Sequence, residues 1–154
     1  MYAVLIDDSE EATIAFKKLL LQVAPDVQIA GEATNIADAV KLIGKYKPQI
    51  VFSDIEMPVL SGLQLLDFFN VEDINFELIF VTNYSEYAVK AFQLSAIDYL
   101  LKPVDPELLQ KAIDKVRQSK NYRQAERNMA LKHIVNSNSF EKIALPLSDG
   151  LRFV

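Results

Sequence analysis

Four apolar stretches of this chain each run into a residue that could take part in ionic or acid–base chemistry. Asp7 and Asp8 follow Tyr2–Ile6, Asp54 follows Ile50–Ser53, Thr82 follows Leu78–Val81, and Lys102 ends Ile97–Leu101. Three carboxylates gathered within several ångströms repel one another, each pair by ~1–4 kcal/mol at a partly solvated dielectric. Protons or a cation must relieve that repulsion. A hard divalent ion such as Mg2+, with oxygen ligands and retained waters, suits two carboxylates and leaves room for a phosphate oxygen. With Lys102 opposite, positive charge would flank a transferring phosphoryl group on two sides, and such transfer needs chiefly in-line positioning and charge stabilisation. A carboxylate can itself attack phosphorus, giving an aspartyl-phosphate. Singly, each residue has an ordinary reading: a helix cap for Asp8 and Thr82, a solvated amine for Lys102. Together at four strand ends they point to a site.

The elements that must position them follow from periodicity. Tyr2–Ile6 reads as a strand, then Ser9 caps a helix whose first turn carries Glu10 and Glu11, the favourable sign there. Ile14, Leu19–Leu21 and Val23 are its expected buried side, and Pro25 stops it. Val27–Ala30 reads as the second strand, and Asn35 opens a helix with Ile36, Ala39, Val40 and Ile43 on one face, closed by Gly44 and Pro48. After Asp54 a loop through Met57-Pro58 leads to an expected helix through Leu63, Leu65, Leu66 and Phe69. Leu78–Val81 is the fourth strand, Ser85–Phe92 a short helix and Ile97–Leu101 the fifth strand. Asp105-Pro106-Glu107 is a helix start, with Leu109, Ala112, Ile113 and Val116 as its apolar stripe. Phe68, Phe69, Phe76, Phe80 and Phe92 are assigned to the core or to helix packing.

Five strands each followed by a helix, with strand cores apolar on both faces, predict an α/β fold: a doubly wound, five-stranded parallel sheet over residues 1–120. In the flavodoxin-like order 2-1-3-4-5, strands one and three are neighbours at the switch point, where ligands bind beyond the carboxyl ends. That order sets Asp7, Asp8 and Asp54 side by side, with Thr82 and Lys102 further along the same edge.

Composition narrows the function class. The chain has 154 residues, 51 % of them apolar, with no cysteine, which excludes disulfides and thiolate metal sites. No apolar run approaches the ~20 residues of a membrane span, and the opening residues lack a basic leader, so no signal peptide and a cytoplasmic location are expected. Net charge is −7 over residues 1–120 and +2 over 121–154. An acidic body argues against direct DNA binding by this part, since duplex affinity comes largely from Lys and Arg on phosphates. His133, the only histidine, reads as a solvated helix residue.

Val4-Leu5-Ile6-Asp7-Asp8, Phe52-Ser53-Asp54-Ile55-Glu56-Met57-Pro58, Gly62, Phe80-Val81-Thr82 and Asp98-Tyr99-Leu100-Leu101-Lys102-Pro103 resemble, in order and spacing, the motifs of response-regulator receiver domains. The resemblance implies that Asp54 is the phosphoacceptor, served by a sensor histidine kinase, and that the domain is a signalling module and not an enzyme. It implies that Asp8 binds Mg2+ directly, Asp7 largely through water, and the backbone carbonyl of Glu56 completes the protein ligands. Thr82 would hydrogen-bond the phosphoryl group, Lys102 would pair with it, and Tyr99 would be the aromatic switch. The Lys102–Pro103 bond would be cis. Asn83 departs from the small residue common there, which bears on phosphorylation and hydrolysis rates.

A narrower resemblance follows. Asn83-Tyr84-Ser85-Glu86-Tyr87-Ala88-Val89-Lys90-Ala91-Phe92, with Ala96 to Pro103, is similar to receivers of the LytTR class, whose output domain binds DNA. Residues 121–139 then read as a helical extension and linker, ending in Asn136-Ser137-Asn138-Ser139. Residues 140–154 read as the opening hairpin of that output domain around Asp149-Gly150, cut off near its start, and too short to bury its own apolar side chains. Transcription regulation would be the outcome, through a homodimer favoured by phosphorylation, with Tyr87, Val89, Lys90, Asp98 and Lys111 exposed on its face. A rival reading is a Mg2+-dependent phosphohydrolase with an aspartate nucleophile, because Glu56 sits two residues beyond Asp54, where such enzymes carry an acid/base carboxylate.

Overall fold

The computed structural model describes residues 1–119. The chain divides into a unit over Met1–Ile113 and a second over Asp114–Val154. The first holds strands β1 (Tyr2–Ile6), β2 (Gln28–Ala33), β3 (Ile50–Ser53), β4 (Glu77–Thr82) and β5 (Asp98–Leu101), all parallel in the order β2-β1-β3-β4-β5. This is the predicted doubly wound topology. Register decides what the sheet edge presents: Ala33, Ile6, Ser53, Phe80 and Tyr99 lie in one row across all five strands. Asp7 and Asp54 are the next residues beyond that row, so neighbouring strands release their carboxylates at the same height.

Helices α1 (Glu10–Val23), α2 (Ile36–Tyr46) and α3 (Ala88–Gln93) alternate with the strands, and α4 begins at residue 106. The predicted caps form. Ser9 Oγ accepts from Ala12 N at 3.2 Å, Asn35 Oδ1 from Asp38 N at 2.8 Å, and Asp105 Oδ1 from Glu107 N at 2.8 Å. Each satisfies an amide that the first helical turn leaves without a partner. Ile36, Ala39 and Ile43 of α2 close on Val4, Ile6, Val51, Leu78 and Phe80. Alternate strand residues Leu5, Phe52, Ile79 and Val81 are buried on the opposite pleat, as are Leu109, Ala112 and Ile113 of α4.

Four expectations need correction. On α1 only Leu20 is fully buried, while Ile14 and Leu21 are 48 % and 68 % exposed. Three successive leucines at about 100° per residue cannot all face one sheet, and residues seven apart share the outer stripe. The segment after Gly62 is not an α-helix but two 3-10 stretches, Gly62–Phe68 and Val71–Asp73. Its inward residues, Gly62 and Leu65 in one file and Leu63, Leu66 and Phe69 in another, recur every third position, which is the 3-10 period. Helix α3 starts at Ala88, not Ser85, and buries only Ala91, so Phe92 is 80 % exposed and not a core residue. Phe68 is likewise half exposed. Finally, β2 spans Gln28–Ala33, later than Val27–Ala30, with an irregular register between Ala3 and Val4.

In the second unit the described residues, 114–119, are helical, with Arg117 Nη1 3.4 Å from Asp114 Oδ1. The expected extension over 121–139, His133 and the hairpin over 140–154 lie outside the described residues.

Candidate functional site

Asp54 continues the ladder one residue past β3, its amide donating to Ile6 O at 2.8 Å, and Asp7 does the same toward Ala33 O at 3.0 Å. One carboxylate oxygen from each of Asp7, Asp8 and Asp54 lies within 4.8 Å of the others. Their settings differ. Asp54 is buried at 7 % exposure, Asp7 is half-buried and Asp8 is open to solvent. Asp54 Oδ1 accepts from the Ile55 amide at 2.6 Å, and Asp7 Oδ1 accepts from the Ser9 amide at 2.9 Å. Each carboxylate is thereby fixed in rotation, with its other oxygen turned to Lys102.

Lys102 Nζ donates to Asp7 Oδ2 at 2.7 Å and to Asp54 Oδ2 at 3.1 Å. Burial works against the charge on this amine, but the hydrogen bonds and negative charge of Asp7 and Asp54 outweigh it and hold its pKa above the ordinary lysine value. Lys102 is placed by its amide, which donates to Thr82 O at 2.8 Å, and the Lys102–Pro103 bond that follows is cis, as the resemblance implied.

Thr82 is fully buried at the end of β4, its Oγ1 accepting from the Tyr84 amide at 3.4 Å. Tyr99 is half-buried, its ring centroid 6.3 Å from that of Phe80, and its hydroxyl donates to Tyr84 O. Burial raises the Tyr99 phenol pKa. Tyr84 thus bridges the two residues the sequence singled out, through its own backbone. Nothing in its residue type signalled that role.

Two further contacts were not legible. Tyr87 donates its hydroxyl to Glu56 Oε2 at 2.6 Å, tying the loop after β3 to the loop before α3. That bond, with burial and the Glu56 charge adding to it, pushes the Tyr87 phenol up to about 12. Ser53 Oγ donates to Asp54 O at 2.7 Å. Gly62 passes so close to the same carbonyl that a Cβ built on it would sit 2.0 Å from Asp54 O, so any side chain here displaces the acid's own backbone.

Asp8, Asp54, Glu56, Asn83, Tyr87 and Lys102 line an open groove of about 810 Å3. Beside it, Asp7, Asp8 and Asp54 offer carboxylate oxygens of graded exposure, which fits a hard divalent cation that keeps part of its water. Among the described residues no helix is long and apolar enough to cross a membrane.

Relatives bear on what this site serves. The chain is 35 % identical over 158 aligned residues to the transcriptional regulatory protein BtsR of Salmonella typhi, covering 100 % of this chain and 65 % of that protein. It is 42 % identical over 114 residues to an uncharacterized response regulatory protein of Vibrio cholerae, covering 74 % of this chain and 47 % of the relative. It therefore spans from just under half to just under two thirds of the length of these relatives. Among solved structures it resembles a DNA-binding response regulator of the LuxR family from Staphylococcus aureus, with TM-score 0.67, 32 % identity and coverage of 75 % of this chain and 97 % of that one. The response regulatory domain of protein mrkE from Klebsiella pneumoniae also aligns, at TM-score 0.67 and 26 % identity over 77 % of this chain and 97 % of that one. None of these supports a phosphohydrolase. Residues 3–114 match the response regulator receiver domain, and with an acid cluster and lysine at the edge of a 2-1-3-4-5 sheet, this chain belongs to that family: it is the receiver domain of a two-component response regulator.

Proposed function

We propose that this receiver accepts a phosphoryl group on Asp54 from a sensor histidine kinase. The observation that carries the reading is Lys102 bridging Asp7 and Asp54 beside a third carboxylate, an arrangement with too much negative charge to be a mere structural ion pair. An Asp54 oxygen forms the bond to phosphorus as the bond to the donor nitrogen breaks. The Ile55 amide orients the attacking carboxylate, and Lys102 moves from bridging two acids to pairing with the phosphoryl oxygens. Asp7, Asp8, Asp54 and the Glu56 backbone carbonyl would hold Mg2+, which supplies charge neutralisation for the incoming phosphoryl group.

Thr82 donates its hydroxyl hydrogen to the phosphoryl group, and its shift toward that group breaks the already long 3.4 Å bond it accepts from the Tyr84 amide. Because Tyr84 O is the partner of Tyr99, the same movement releases the Tyr99 ring, which turns inward as the switch. The surface of α3, β5 and α4 changes with it. That surface carries Val89 at 72 % exposure, exposed Phe92, Leu101 and Leu108, and charged Lys90, Asp98 and Lys111. Its mixed character suits a reversible homodimer.

The finer class is LytTR, on the strength of the Asn83–Phe92 run and the hairpin pattern of residues 140–154. In the longer protein the receiver, over residues 1–120, controls DNA binding and transcription in the cytoplasm through an output domain reached by residues 121–139. The relatives named as transcriptional regulators support this reading. The test is intact mass after acetyl phosphate and Mg2+. Wild type gains one phosphate per molecule, and Asp54→Asn gains none. Undiminished labelling of Asp54→Asn, or many equivalents of donor cleared per molecule, would overturn the assignment.

A further inference from the structure

Glu56 lies two residues past Asp54 and shares its groove with Lys102 and Asn83. A carboxylate there could take the proton of a water attacking a phosphoryl group on Asp54. In this structure it is occupied otherwise. Glu56 Oε2 accepts the Tyr87 hydroxyl at 2.6 Å, which fixes its rotamer and directs it to the α3 side of the groove. The anchor is firm although the bond itself faces solvent. The Tyr87 ring packs against the core cluster that contains Phe80 and Ala91, meets Tyr84 edge-on at 6.2 Å, and belongs to the N-cap residue of α3.

We propose that Tyr87 is a positioning residue that withholds the Glu56 carboxylate from the hydrolytic water and so lengthens the life of the aspartyl-phosphate. The inference rests on Asp54 being the phosphoacceptor. In the withheld step, a water oxygen bonds to phosphorus while the phosphorus–oxygen bond to Asp54 breaks. The electron pair returns to the Asp54 carboxylate, and the water proton passes to Glu56 and then to solvent. The products are inorganic phosphate and the free aspartate. With Tyr87 in place, the water must lose its proton to bulk solvent instead.

The experiment follows adduct decay by intact mass, after loading with acetyl phosphate and Mg2+ and removing the donor, in wild type, Tyr87→Phe, Glu56→Gln and the double variant. Tyr87→Phe keeps the ring and its packing but releases Glu56. Its adduct should decay about ten-fold faster than that of wild type, below the 10²–10⁴ of a fully positioned base. In the Glu56→Gln background the same substitution should change the half-life less than about two-fold, because no base remains to be released. The solvent deuterium isotope effect on decay should rise in Tyr87→Phe alone. An unchanged half-life in Tyr87→Phe overturns the proposal, as does equal acceleration in both backgrounds, which would mean that Tyr87 acts through loop packing. A folded wild type that takes no phosphate would instead remove the Asp54 reading, and this inference with it.

Discussion

Lys102 Nζ rests nearer to Asp7 Oδ2, at 2.7 Å, than to Asp54 Oδ2, at 3.1 Å. The ammonium is therefore shared between the proposed nucleophile and a neighbour, and among the described residues it is the one cation bonded to both. Lys102→Met should lower stability in EDTA by about 1 kcal/mol, a value reduced for the partial solvent screening of this pair. Added Mg2+ should recover part of the loss by replacing the missing positive charge. Urea titrations with and without the metal measure both. Since the folded pKa of Lys102 is raised, its contribution is complete below the ordinary lysine value of about 10.4 and is lost only as pH climbs through the higher folded value.

The acids should separate by role. Asp8→Ala should weaken Mg2+ binding more than Asp7→Ala, because Asp8 is solvent-open and carries no share of Lys102, whereas Asp7 is already bonded to Ser9 and Lys102. Isothermal titration of the two variants settles the order. Equal losses would assign Asp7 a direct bond to the metal.

Tyr87 and Glu56 give a spectroscopic signature. The chain has six tyrosines, and the one lost in Tyr87→Phe should ionise near pH 12 by ultraviolet titration. In Glu56→Gln that midpoint should fall toward 10. A raised folded pKa means that the bond stabilises fully below about 10, the unfolded value, and that its contribution is lost between about 10 and about 12. A Tyr87 midpoint near 10 in wild type would show the bond absent in solution.

Two glycines should respond in opposite directions. Gly62→Ala places a Cβ 2.0 Å from Asp54 O and should cost about 2–3 kcal/mol in urea unfolding, with loss of acetyl phosphate labelling as the acid's backbone shifts. Gly44, in the last turn of α2, has nothing within 4 Å of an added Cβ, so Gly44→Ala should stabilise by about 0.5–1 kcal/mol.

The proposed dimer face gives a further test. Beryllium fluoride, which mimics the phosphoryl group, should raise the sedimentation coefficient of wild type, and Phe92→Asp or Lys90→Glu should prevent the rise. A dimer unaffected by either change would place the interface elsewhere.

The order of the fold and the placing of Asp7, Asp54, Thr82 and Lys102 at strand ends were legible because both are written in one dimension. Strands apolar on both faces dictate a covered parallel sheet, and Asp7, Asp54, Thr82 and Lys102 interrupt or follow those apolar runs. Caps at Ser9, Asn35 and Asp105 were legible for the same reason, since each is bonded within a few residues of itself. What the sequence left open depends on partners far along the chain. Glu56 and Tyr87 are thirty-one residues apart, and only the sheet order brings their loops together. The exposure of Phe92, Leu21 and Ile14 was equally hidden, because composition says that a residue is apolar but not which way a short helix is rolled against its sheet. Tertiary structure also chose the 3-10 path after Gly62: packing at three-residue intervals against the core, beside a carbonyl that tolerates no side chain, overrode the local helix pattern of Leu63–Phe69.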